Sequence, residues 1–182
     1  MSVTGRRAIL RIPPIRVGFG MLVAMHTRRT RDRDLLVVLE RDEKVVANLL
    51  QAAAEAGIEG GWVSGLGSLK EIEMGYYDLP RRTYLRRRFE EDMELCGFTG
   101  NFAMHGNERV LHAHASVSGP ELITFTGHLF EARVAVTAEF LLRDLGVRLE
   151  RAEVPSVGLK LLQPEGGARR PAEGGKRKEP GA

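Results

Sequence analysis

The chain has 182 residues, 43% of them hydrophobic, which is enough for one well-buried core and short for two, so a single domain with tails is expected. No run reaches the roughly 18 apolar residues of a spanning helix, and the lone Cys96 excludes a disulfide framework within the chain, which fits a soluble protein of a reducing cytoplasm. The net charge of +3 and the pI near 9.3 suggest nucleic acid, but residues 34–164 hold 14 Lys and Arg against 20 Asp and Glu, a net −6, and the basic character lies in the ends.

Residues 1–33 carry eight arginines against Asp32 alone, with an apolar run at 17–25 between Arg16 and Arg28. The pattern resembles a secretory signal, yet no small-x-small cleavage site follows. Pro13-Pro14 breaks any helix, and Gly18 and Gly20 weaken helix and strand alike, so the segment reads as a basic extension, either loosely docked or an arm for nucleic acid. Residues 35–40 suit a buried strand. Asp42 can cap a helix in which Val45, Val46, Leu49, Leu50 and Ala53 recur at helical spacing and Gly57 supplies the stop. Residues 60–68 hold too many glycines for an ordinary strand interior. They lack the spacing of a phosphate-binding loop, and packing against a neighbouring strand or subunit is the reading preferred for them.

Ile72, Met74 and Tyr76 alternate with Glu71, Glu73 and Gly75, which predicts a strand up to Tyr77. Arg81, Arg82, Arg86, Arg87 and Arg88 with the interleaved Tyr84 could grip phosphate, but Glu90, Glu91, Asp92 and Glu94 follow at once, and a solvated connection with local ion pairs is preferred. A strand over Met93, Leu95 and Phe98, a bend at Gly100-Asn101, a second short strand at 102–105 and a turn at Gly106-Asn107 come next.

Residues 109–132 carry three of the five histidines, His112, His114 and His128. On an extended chain alternate side chains share a face, so His112 and His114 point the same way. Val110, Leu111 and Val117, then residues 123–126, suit two strands of a hairpin turning around Gly119, Pro120 and Glu121. If Ser118 stands opposite Thr124, His114 faces His128 and the three imidazoles share one face. Neutral imidazoles so placed suit a divalent metal, zinc first, with a position left for water or substrate. A solvated or hydrogen-bonded His-x-His pair is the competing reading, and the third, register-matched histidine favours the metal.

The run from Phe89 through Gly100-Asn101 to His112 and His114, then Gly127-His128-Leu129 and Thr137 to Glu139, resembles the PPC domain, the plant and prokaryote conserved domain, over roughly residues 35–162. The resemblance implies an α/β (α+β) fold, a mixed, largely antiparallel sheet with flanking helices, assembled as a homotrimer. It also implies metal-ligand roles for His112, His114 and His128, and it aligns Glu94 with a position the family usually fills with Glu, a candidate catalytic base. Where the family usually has two glycines before the third histidine, this chain has Thr126-Gly127, a departure that bears on the width of the pocket. The alternation of Val134, Val136, Ala138, Phe140 and Leu142 with their neighbours, together with the resemblance, favours a strand there. A last short strand follows Pro155, over residues 157–162, and residues 165–182 read as a disordered basic tail.

The expected organisation is a basic extension at 1–33, a PPC-like domain at 34–164 and a tail at 165–182. Three functions compete. The first is a metal-dependent enzyme acting on an unknown small molecule. The second is the DNA binding or gene regulation associated with plant AT-hook members of the family. This chain has no Arg-Gly-Arg-Pro core, so DNA would be met by the basic tails. The third is an interaction module whose metal is only structural.

Overall fold

Alternating apolar and polar residues dominate the chain, and the computed structural model, which describes residues 25–30 and 33–163, turns them into nine strands and one helix. In chain order these are β1 (His26–Arg29), β2 (Leu35–Glu40), α1 (Val45–Glu55), β3 (Gly61–Asp78), β4 (Thr83–Phe89), β5 (Met93–His105), β6 (Glu108–Ser118), β7 (Thr124–Asp144), β8 (Glu150–Val154) and β9 (Leu159–Gln163). All pairings are antiparallel except the short contact of β5 with β8 at Met104 and Glu150. Among the described residues no helix is long and apolar enough to cross a membrane. The expected tail at 165–182 and nearly all of the apolar run at 17–25 lie outside the described residues.

The expectation of an α/β fold with flanking helices is overturned. The described chain is mostly strand, and α1 is its one helix. The reason is closure. β3 pairs with β5, β5 with β6, β6 with β7, and β7 again with β3, so the long central strands form a circuit. A sheet that closes on itself covers its own inner face and removes most of its edges, leaving little for helices to cover. Val63, Leu69, Phe98, Ala113, Ala115, Val117, Leu129, Phe140 and Leu142 line that interior, and Val45, Leu49, Ala52 and Ala53 of α1 join the same core. Register shifts in the β3–β7 pairing, between Gly67 and Leu69 and between Lys70 and Met74, bend the two longest strands as closure requires.

Several local expectations change with it. Residues 61–68 enter β3 despite their glycines, because a Cβ at Gly65 would strike the Phe140 ring and one at Gly67 would stand 2.5 Å from the Thr137 carbonyl oxygen. The strands approach too closely there for any side chain, which is the packing role the sequence suggested. The arginine-rich stretch is a strand, β4, paired along its length with β3. Gly100-Asn101 is no bend, since β5 runs unbroken through it. Asp42 does not cap α1. It sits at φ 71° and pairs with Lys70 at 2.5 Å, while the free amides of Val46 and Ala47 donate to the Glu131 carboxylate at 2.7 and 3.3 Å. Gly57 does end the helix, at φ 70°.

Two elements at the ends matter for position. β1, inside the stretch read as an extension, pairs with β2 from His26 opposite Val38 to Arg29 opposite Leu35. The β8–β9 hairpin, of which only the second strand was expected, starts beside the end of β5 and reaches the β3–β4 hairpin, where the Tyr77 hydroxyl donates to the Val157 carbonyl at 2.6 Å.

Candidate metal centre

β6 and β7 meet as the histidine spacing requires. Ser118 stands opposite Thr124, Ser116 opposite Thr126, and His114 opposite His128, joined by the loop at 119–123. A hydrogen bond between the Ser116 and Thr126 hydroxyls at 3.0 Å ties the row next to the histidines. Because Ala113, Ala115 and Val117 point into the core, His112 and His114 must point out of it, and the register carries His128 to the same side. One ring nitrogen from each histidine lies within 4.8 Å of the others. Ring centroids are 5.1 Å apart for His112 and His114, 5.3 Å for His112 and His128, and 5.8 Å for His114 and His128.

Burial sets the chemistry of these rings. His112 and His128 are half-buried, and desolvation, reinforced by the Arg151 charge and the neighbouring histidines, pushes the pKa of each down to about 4. Both are neutral at pH 7 and offer lone pairs. His114 is exposed and forms the open side of the cluster. Nδ1 of His128 is buried and has no hydrogen-bond partner among the described residues, which is unusual for a polar atom so placed. Neutral imidazoles on a rigid sheet, one with an orphaned buried nitrogen, fit a divalent cation that prefers nitrogen ligands.

The wall around the cluster is aromatic. The Tyr84 and Phe130 rings lie 4.9 and 4.8 Å from His128, Tyr77 packs 4.9 Å from Tyr84, and the Arg86 guanidinium covers Phe130 at 3.8 Å. Gly75, opposite His128, leaves the room that Phe130 occupies, for a Cβ there would meet its ring at 2.8 Å. Across β6, Asn101 stands opposite His112, and its side-chain oxygen accepts a 2.7 Å hydrogen bond from Nη2 of the buried Arg151 on β8.

Glu94, the candidate base, is not brought to the histidines. It is exposed and pairs with Ser118, four residues along β6 from His114, or about 13 Å at the rise of a strand. Thr126, the departure from two glycines, is exposed with its hydroxyl turned to Ser116. Sequence reasoning missed Tyr84, Asn101 and Arg151 as neighbours of the site. A signal for Asn101 existed: a two-residue turn at Gly106-Asn107 sets His105 opposite Glu108, and counting back along the hairpin places Asn101 opposite His112. Arg151 had none, since it comes from a strand that was not expected.

Comparison with known proteins gives the arrangement its relatives. A candidate DNA-binding protein of Ralstonia eutropha JMP134 is 25% identical, with a TM-score of 0.70 over 75% of this chain and 94% of that one. The plant- and prokaryote-conserved protein of Pyrococcus horikoshii is 27% identical, with a TM-score of 0.67 over 82% of this chain and 98% of that one. The metal-containing protein AF0104 of Archaeoglobus fulgidus is 26% identical, with a TM-score of 0.67 over 78% of this chain and 99% of that one. No curated protein matches the chain. The profile of the Plants and Prokaryotes Conserved (PCC) domain matches residues 26–146, from β1 to just past β7, a span that contains all three histidines. By that match, over well more than half of its length, the chain belongs to the Plants and Prokaryotes Conserved domain family.

Proposed function

We propose that the protein binds one divalent metal, zinc first, through His112, His114 and His128, and that the centre serves a small molecule. The observation that carries this reading is the convergence of two neutral, half-buried imidazoles with an orphaned Nδ1 on His128. The metal-containing relative supports it. When bound, zinc would supply a Lewis acid and a water of lowered pKa. This chain's own residues would then hold the site: β6 and β7 fix the ligand rings, Tyr84 and Phe130 shield one side from water, and His114 leaves the other side open. Glu94 keeps a place as base only for a substrate long enough to span the distance from His114. Protein purified without chelator should contain about one metal per chain, and His114→Ala should lower that content sharply. Equal content in both proteins would defeat the assignment.

A second reading has its own support. The Ralstonia relative is a candidate DNA-binding protein, and this chain carries its excess positive charge in its ends. On that reading the basic tails bind DNA and the acidic body does not. Both readings take residues 34–164, with β1 added to their sheet, as the domain, place the protein in the cytoplasm and expect the homotrimer implied by the family resemblance.

A further inference from the structure

Among the described residues, one buried cation on the histidine side of the sheet has no counter-charge. Arg151 is only 8% exposed. Its Nη1 donates to the Lys160 carbonyl at 2.9 Å and its Nη2 to Asn101 Oδ1 at 2.7 Å, while Nε is buried without a partner. Both partners are neutral. Among the described residues no carboxylate pairs with this guanidinium, although every other residue of the buried polar set that carries a positive or negative charge is an acid placed elsewhere. A guanidinium does not lose its proton in a protein, so it cannot escape burial by turning neutral. Charges buried to this degree are ordinarily paired.

We infer that the missing counter-charge is a ligand: Arg151 recognises the carboxylate of a small molecule that binds between the guanidinium and the three histidines. This deepens the proposed function, and it rests on that reading for what the histidines contribute. Two observations place the guanidinium there. Asn101, which holds it, is the direct cross-strand neighbour of His112. The β8–β9 hairpin that carries it is tied to the same wall through Tyr77, whose ring packs on Tyr84. A monoanion suits the site better than a phosphate. Among the described residues at this wall, Arg151 is the one cation without an acidic or aromatic partner, since the neighbouring Arg86 is taken up by Glu73 at 2.8 Å and by the Phe130 ring. The walls of Tyr84 and Phe130 suit a short carbon skeleton.

The test uses the full-length protein, zinc-loaded and zinc-free, titrated with sodium acetate and separately with inorganic phosphate. The readouts are calorimetry and the side-chain Nε–H resonance of Arg151, assigned by its loss in Arg151→Lys. Acetate should shift that resonance, and Arg151→Met should bind acetate at least about tenfold more weakly, the loss of one charged hydrogen bond, while keeping the wild-type zinc content. The shift is read in the wild type and needs only the conservative Arg151→Lys for its assignment, so the result stands even if Arg151→Met folds poorly. Zinc uptake with no acetate shift would overturn this inference alone. A shift in protein that takes up no zinc would uphold it and remove the metal reading instead. Phosphate binding tighter than acetate would overturn the choice of a carboxylate.

Discussion

His112 and His128 show how a strand pattern becomes a site only when burial acts on it. Their pKa values, held near 4 chiefly by burial, lie below the 6.5 of an unfolded chain, so between these two pH values the unfolded state binds more protons than the folded one. Stability of the metal-free protein should therefore be full above about pH 6.5 and fall as the pH drops toward 4. Thermal melts of zinc-free protein at pH 7 and pH 5 should show the drop, and His128→Gln should flatten it; an unchanged slope would mean that the ring is not held neutral by burial. The face shared by His112 and His114 was legible in the sequence because a strand's period is two, and the pairing with His128 was legible because the loop at 119–123 fixes the register. The depth of burial was not. It depends on Tyr84 and Phe130, which reach the site from β4 and from further along β7, and no local pattern announces such contacts.

At the scale of elements, local chemistry pointed to the right segments more often than to the right partners. α1 begins and ends close to where its apolar spacing predicts, yet its first-turn amides are met by Glu131, 85 residues from Val46. A carboxylate at a helix N-terminus satisfies free donors and complements the dipole, whatever its distance in sequence. Glu131→Ala should cost about 1–2 kcal/mol, the usual loss for a removed cap, and denaturant unfolding measures it directly. Asp42→Ala should cost less, because Asp42 is exposed, makes no cap, and its ion pairs with Lys70 and Arg41 are screened by solvent. The arginines of β4 and the carboxylates that follow them suggest a solvated connection, but an outer strand exposed to solvent carries charge without penalty, and cross-strand pairing with Glu73 gives Arg86 a partner. The flanking helices failed for a different reason. Fold class depends on whether the sheet closes, and closure is decided by bulges and by glycines such as Gly65 lying under Phe140, which periodicity does not report.

For the whole molecule, the distribution of apolar surface and charge decides what it meets. Leu36 stands opposite Leu141, and Trp62 and Leu66 lie on the same outer face of the sheet, all partly exposed. A trimer would cover such a face, and light scattering on the full-length protein should give three subunits; a stable monomer would remove that expectation. Charge bears on DNA. Residues 25–164 count 18 Lys and Arg against 21 Asp and Glu, so even with the arginines of β1 included the body is acidic. Its basic run is largely committed, since Arg81 pairs with Asp78 at 2.9 Å, Arg86 with Glu73 at 2.8 Å and Arg88 with Glu90 at 3.6 Å, while Arg87 lies over the rings of Phe89 and Phe125. Screening over about 8 Å at physiological salt leaves little long-range attraction from what remains. Full-length protein should therefore bind duplex DNA weakly through its ends, with affinity falling steeply between about 50 and 200 mM salt as the entropy gained by releasing counterions shrinks. The chain trimmed to residues 25–164 should not shift DNA at either concentration. Salt-resistant, sequence-selective binding by the trimmed chain would place DNA recognition on the strands themselves and would displace the metal centre as the protein's main site.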